Sequence, residues 1–233
     1  VNSQSLNFFK PSILLIKNHG ESTQSRLNIK REIGQLNFSD FAASADLVNG
    51  REFSGNPELV PETKYVATYE LDYRFSERGG FGLKLFHEWR KDVFEQVLLP
   101  SSHQAKGNAG DAKVYGVEVS LDVPLNQFIR NSILELDYKF MKSEFTDPLT
   151  NEQRELTNLS SPDARGEFRQ DLVEYQLSWG LGYDAYNESE DFYIGEYGRF
   201  RTENKWDAFV EKVLSNGFKL RGSVINLGDE KQY

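Results

Sequence analysis

Residues 64–75 read KYVATYELDYRF, and the alternation within this stretch decides the fold class. Its odd positions are Tyr65, Ala67, Tyr69, Leu71, Tyr73 and Phe75, and its even positions are Lys64, Val66, Thr68, Glu70, Asp72 and Arg74. Successive side chains of an extended chain point to opposite faces, so a period of two makes one face apolar and aromatic and the other polar or charged. The pattern returns in residues 113–123, where Tyr115, Val117, Val119, Leu121 and Val123 alternate with Gly116, Glu118, Ser120 and Asp122. Residues 173–183 repeat it, with Val173, Tyr175, Leu177, Trp179, Leu181 and Tyr183 set against Glu174, Gln176, Ser178, Gly180 and Gly182.

Each such run is about ten residues or longer. Strands of ordinary globular sheets peak at about five to six residues, whereas a strand crossing a bilayer at a tilt needs roughly nine to eleven. Length therefore favours a membrane barrel over a sandwich. Gly, Asn and charged residues mark short turns at 19–22, 77–80, 126–131, 184–190 and 215–217, and long polar stretches fill 34–62, 97–111 and 145–170. One short end and one long end is the layout of an outer-membrane barrel, with tight periplasmic turns and long extracellular loops. The spacing predicts about ten strands, near 10–18, 22–33, 63–77, 81–95, 112–125, 131–144, 171–184, 191–202, 205–214 and 218–227. The run 191–202 alternates least cleanly.

Composition agrees. Aromatics make up 13% of the 233 residues, yet mean hydropathy is -0.60, which is what alternating lipid-facing and lumen-facing residues average to. The longest apolar run, residues 13–16, is far short of the roughly 20 residues a membrane helix requires. A formal charge of -9 disfavours a nucleic-acid partner, which calls for a basic surface. The lack of cysteine removes disulfides, thiol catalysis and thiolate metal sites together. Residues 1–10 lack the charged-then-apolar order of a signal peptide, so an exported chain of this kind is expected to be a mature or truncated piece.

No catalytic centre or cofactor is implied. Glu70 and Asp72 share a face and have the makings of a general acid/base pair, but such pairs recur in several strands and read better as a repeated polar lining. That lining comprises Glu70, Asp72, Arg74, Glu118, Asp122, Glu135, Asp137 and Lys139. His19, His87 and His103 fall on a turn, a strand and a loop without metal-ligand spacing. Tyr65, Tyr73, Trp89, Trp179, Tyr183 and Trp206 suit the aromatic girdles of a barrel.

Three segments carry a family resemblance. Residues 55–62, GNPELVPE, lead straight into the strand bearing Tyr69–Glu70–Leu71. Residues 111–118, DAKVYGVE, hold a Gly-hydrophobic-Glu core, and residues 226–229 read NLGD after the strand that starts at Phe218. In this order they resemble the barrel domain of TonB-dependent outer-membrane receptors, and residues 31–41 fit the loop entry of that family. Gly228 departs from the bulkier residue more usual there.

The resemblance implies an all-β, antiparallel transmembrane β-barrel, partial, with residues 1–233 forming strands 12–21 of a 22-stranded barrel. The plug domain, the TonB box and the final strand are expected to lie outside this chain. The count is self-consistent: strand 12 runs toward the periplasm, so the turn after it, at 19–22, is expected to be short, as it is. The implied partners are outer-membrane lipid, a small-molecule nutrient, and TonB–ExbB–ExbD through the absent N-terminal part. The nutrient classes of such receptors include ferric siderophores, haem, cobalamin and oligosaccharides. Within loop 34–62, Phe38, Asp40, Phe41, Asp46, Asn49 and Arg51 are the expected ligand contacts. The rivals are a passive porin-like barrel and a soluble glycan-binding β-sandwich.

Overall fold

The alternating stretch 64–75 lies in β5 (Thr63–Arg74), one member of a single antiparallel sheet. The computed structural model describes residues 7–37, 41–46, 51–100 and 103–227, and leaves the side chains of 44–46 and 51–52 undescribed. Ten strands follow one another across the sheet. They are β1 (Ser12–Asn18), β2 (Thr23–Ile33), β5, β6 (Gly80–Lys91), β9 (Ala112–Pro124), β10 (Ser132–Thr146), β12 (Asp163–Leu172), β13 (Leu177–Asp184), β16 (Lys205–Val213) and β17 (Lys219–Ile225). Every neighbour is antiparallel, and β1 and β17 are the edges. Such a wall pairs its backbone groups strand to strand, the condition for any β-structure in hydrocarbon.

The connections alternate without exception. Short turns occupy 19–22, 75–79, 125–131, 173–176 and 214–218, and long ones 34–62, 92–111, 147–162 and 185–204. Gly20 at φ 79° and Gly217 at φ 83° provide the left-handed positions of two short turns, where a side chain would be strained. The long connections hold structure of their own. Hairpin β3 (Ser44–Asp46) and β4 (Arg51–Phe53) sits in the first, and β7 (Phe94–Leu98) with β8 (Gln104–Asn108) in the second. The short strand β11 (Gln153–Arg154) pairs on β10 in the third, and hairpin β14 (Asn187–Tyr193) with β15 (Glu196–Thr202) fills the fourth.

Two of the strands expected from sequence are corrected. Residues 171–184 are not one strand: Val173–Tyr175 form a 3₁₀ turn and Gln176 takes φ 48°, so β12 ends and β13 begins within that run. The later part of that run remains a wall strand as β13, and an additional wall strand, β12 at 163–172, lies mostly inside what reads as a polar loop. Residues 191–202 form no wall strand, since β14 and β15 pair only with each other. The connection at 184–190 is accordingly the start of a long loop, not a short turn. The two errors offset, which is why the total of ten survives.

Register fixes the faces. Outward lie Leu27, Tyr69, Leu85, Val117 and Phe140, opposed in turn across β2, β5, β6, β9 and β10. Tyr65, Tyr69, Tyr73, Leu85, Trp89, Leu136, Tyr138, Leu181, Trp206 and Val210 are large, apolar and exposed on this face. In water such a surface would drive association; against acyl chains it is the contact. The densest core lies on the other face, at the long-loop end, where Val93 and Leu156 pack over Ala112, Val114 and Phe145.

Candidate functional site

The inward face carries a charge ladder built by register alone. Arg26 on β2 opposes Glu70 on β5, which opposes Lys84 on β6, then Glu118 on β9, Lys139 on β10 and Asp163 on β12. The signs alternate across all six strands. Contacts follow: Arg26 Nε–Glu70 Oε2 is 2.8 Å, Arg26 Nη2–Asp72 Oδ2 2.6 Å, Lys84 Nζ–Glu118 Oε2 3.0 Å and Lys139 Nζ–Glu118 Oε1 3.8 Å. Directly opposed unlike charges each contribute roughly 0.2–1 kcal/mol. A trough of about 610 Å³ runs along this ladder and reaches Arg165 and Asp184, themselves 3.4 Å apart. The expected lining residues Glu70, Asp72, Glu118, Asp137 and Lys139 all border it.

At the loop end the connections brace one another. Arg154 donates from Nη2 to Glu95 Oε2 at 3.0 Å and from Nε to Asp147 Oδ2 at 2.9 Å. Its guanidinium lies 4.7 Å from the Phe145 ring centroid and 4.3 Å from that of Phe192. Thr157 donates from its backbone N and from Oγ1 to the Glu95 carboxylate at 2.9 and 2.6 Å. Loops 92–111, 147–162 and 185–204 thus meet on one guanidinium. Phe53 and Tyr193, with centroids 6.2 Å apart, add the first loop to the fourth.

The GNPELVPE segment is explained by this bracing. Asn56 Oδ1 accepts from Glu58 N at 3.1 Å, and Asn56 Nδ2 donates to Lys106 O at 3.1 Å. Val60 N and O bond to the side-chain amide of Asn108 at 2.9 Å each, and Leu59 is buried. Glu62 accepts Gly34 N at its backbone O and lies 3.8 Å from both Lys64 and Arg90. Burial pushes the Glu62 carboxyl above its ordinary range, against the pull of Lys64 and Arg90. The segment therefore ties the first loop to the second at the mouth of the wall.

Of the six expected ligand contacts, Phe38, Asp40 and Asn49 lie outside the described residues. Phe41 is exposed. Asp46 and Arg51 are register partners at the end of the β3–β4 hairpin. Glu95, Asp147, Arg154 and Thr157 were not singled out by sequence, because a contact between residues 59 or 62 positions apart leaves no periodic trace. His87 lies on the outward face beside Trp89 and Tyr115, and among the described residues no group of three or more His, Asp or Glu side chains is placed to hold a metal ion.

The family model described as "TonB dependent receptor-like, beta-barrel" matches residues 30–227. Among solved structures, the chain is similar to the siderophore receptor PirA from Pseudomonas aeruginosa, at 18% identity over 95% of this chain and 39% of that one, TM-score 0.69. A mutant of the ferric enterobactin receptor PfeA from the same organism gives 17% identity over 95% and 35%, TM-score 0.70. The FrpB iron transporter from Neisseria meningitidis gives 12% over 95% and 35%, TM-score 0.66. The chain thus spans well under half the length of these structures. A search among curated protein sequences returns no match.

Proposed function

This chain belongs to the TonB-dependent receptor β-barrel family and forms part of an outer-membrane barrel wall; on that footing we propose that the complete protein imports a scarce nutrient by TonB-dependent transport. The observation that carries the reading is the two-faced wall, apolar outside and lined inside by the ladder from Arg26 to Asp163. A ferric siderophore is the first substrate class to test, because the similar structures include receptors named for siderophores and for iron. Haem, cobalamin and oligosaccharides follow. Energy comes from TonB–ExbB–ExbD acting through an N-terminal plug domain, while this chain supplies strands 12–21 of a 22-stranded barrel.

Ligand contact is assigned to the first long loop, through Phe38, Asp40, Phe41, Asp46, Asn49 and Arg51. The reading is supported by the position of the β3–β4 hairpin at the end of the wall where the other long loops are braced. The test is uptake of radioactive iron as siderophore complexes by cells carrying the full-length receptor under iron limitation. Import that requires TonB supports the proposal; accumulation unaffected by loss of TonB identifies a passive porin. Deleting residues 36–52 is expected to abolish binding of the imported ligand, and unchanged affinity removes the loop from the site.

A further inference from the structure

Hairpin β14–β15 is a sheet of its own, and its two edges differ. Along β14 the carbonyls of Glu188 and Glu190 accept from Ser161 N at 3.0 Å and Asn158 N at 2.9 Å, so the third long loop already lies against that edge. Glu188 and Glu190 oppose Arg201 and Arg199. In an antiparallel ladder, residues whose backbone groups turn away on one strand face partners whose groups also turn away. The N–H and C=O groups of Tyr197, Arg199 and Arg201 therefore point outward along β15. Among the described residues nothing bonds to them.

The side chains make this open edge selective. On one face of the hairpin Glu188 opposes Arg201, Glu190 opposes Arg199 and Phe192 opposes Tyr197. Arg199 Nη2 lies 2.6 Å from Glu188 Oε1, the Tyr197 hydroxyl donates to Glu190 at 2.6 Å, and the Arg201 guanidinium lies 4.6 Å from the Tyr186 ring centroid. Each cross-strand pair is of unlike charge or aromatic, and both arginines stay exposed at the margin. On the other face Phe200 is 57% exposed. A strand that continues the pattern carries carboxylates opposite Arg199 and Arg201 and an apolar side chain between them. A second copy of this chain fits poorly, because the register that pairs the whole of β15 with itself sets Arg199 against Arg199, and like charges directly opposite are destabilising.

We propose that the outer edge of β15 takes an extended acidic segment of another protein as an added strand, with main-chain bonds at Tyr197, Arg199 and Arg201 and carboxylates on the two arginines. In this mode main-chain bonds give affinity and alternate side chains give the choice of partner. The edge belongs to the fourth long loop, so the partner approaches from outside the cell. The proposal rests on the outer-membrane placement of the wall, and does not depend on which nutrient is imported.

The test uses the full-length receptor in detergent and an octapeptide alternating glutamate and valine. Its controls are a lysine–valine counterpart and a copy N-methylated at the glutamates, whose N–H groups would meet β15. The acidic peptide is expected to bind and to slow hydrogen exchange at Tyr197, Arg199 and Arg201, with the wall strands unchanged. Both controls are expected to bind about tenfold more weakly. Arg201→Gln keeps the outward N–H and weakens the acidic peptide about threefold. Arg201→Pro also removes that N–H, at no cost in bonds to β14, and weakens it further. Exchange at the three amides of the unaltered receptor tests the edge even where a variant folds poorly. Binding of neither peptide, equal binding of both, or full affinity of the N-methylated copy overturns the proposal. So does protection of the three amides in the receptor alone: if it fades on dilution a second copy holds the edge, and if it persists the receptor's own chain does.

Discussion

Arg154 and Glu95, 59 residues apart in sequence, meet at 3.0 Å where three long loops converge, with the Glu95 side chain only 2% exposed. The pair is satisfied on both sides. Glu95 also accepts two bonds from Thr157, and Arg154 also reaches Asp147 and the Glu155 carbonyl. The wall below needs none of these contacts, since its strands hold one another through their own ladders.

Replacing Arg154 by Met leaves Glu95 as a buried carboxylate with its cation gone. Breaking a buried pair from one side costs about 3–5 kcal/mol. The cost is expected to appear as local opening of loops 92–111 and 147–162, with the wall strands unchanged. Hydrogen exchange on the full-length receptor reads this directly: amides of both loops lose protection while those of β9 and β10 keep theirs. Loss of protection spread evenly over loops and wall refutes the separation.

Asp147 sets the pH range in which this brace holds. Burial alone would raise its carboxyl, but the backbone N–H groups of Leu149 and Thr150 and the Arg154 guanidinium outweigh that and hold it below the ordinary carboxylate range. A depressed folded-state value means stability that is complete above the unfolded value and is lost as pH falls through the folded one. Protection of the Leu149 amide, whose N–H bonds to Asp147 Oδ1 at 2.8 Å, taken relative to the free-peptide exchange rate at each pH, is expected to be flat from neutral pH down to the ordinary carboxylate range and to fall below it. Asp147→Asn removes that dependence.

Glu62 carries the opposite sign. Its folded-state value is raised, first by burial and further by Glu88, while Lys64 and Arg90 pull it down. Stability from such a carboxyl is complete below its unfolded value and is lost as pH rises through the folded one. Glu62→Gln therefore matches the unaltered receptor at low pH and resists unfolding better at neutral pH. Denaturant midpoints at the two pH values decide it, and a Gln variant weaker at neutral pH shows that the pairs with Lys64 and Arg90 outweigh burial.

Glu118 is the most connected carboxylate of the ladder, set between Lys84 and Lys139. Glu118→Lys places three ammonium groups side by side and forfeits roughly 0.2–1 kcal/mol for each pair, with repulsion added. The unfolding midpoint falls, and it falls less in Glu118→Gln, which removes the attraction to Lys84 and Lys139 without adding repulsion. Equal falls in the two variants show that Glu118 matters for reasons other than its neighbours' charge.

How far the sequence discloses all this depends on what each face holds. β5 and β9 pair bulky outward residues with charged inward ones, so their alternation is plain. β12 has the same inward charges, Asp163, Arg165, Glu167, Arg169 and Asp171, but its outward positions are Ala164, Gly166, Phe168, Gln170 and Leu172. With three of those five small or polar, the strand reads as a solvated loop. Val173 and Tyr175 then continue the period of β13 by coincidence across a 3₁₀ turn. The ladder is half visible: Glu70, Glu118 and Lys139 are readable as a lining, Arg26, Lys84 and Asp163 are not, and the alternation of sign across strands exists only once register is known. The Glu95–Arg154 brace was invisible, because its partners are joined by tertiary contact alone.

Neighbouring residues on β9 give the sharpest test of the faces. Val119 points outward between Leu83 and Tyr138, and Ser120 points inward opposite Gly82 and Asp137. Both sit near mid-strand, so they share depth, backbone setting and strand, and differ only in the medium their side chains meet. Arginine on the lipid face near the bilayer midplane costs about 2–4 kcal/mol, because its charge must be withdrawn from water without a partner. At position 120 the same guanidinium enters the polar trough beside Asp72 and Asp137, where it finds both water and carboxylates. Val119→Arg is therefore expected to lower the unfolding free energy of the full-length receptor in lipid by that amount, and Ser120→Arg to change it little. A soluble sandwich that buried the Val119 face would also object to arginine there, but it would fold without lipid or detergent, so refolding into vesicles is part of the measurement. Equal costs at the two positions, or a larger one at 120, would mean that the charged face and not the aromatic one meets the bilayer.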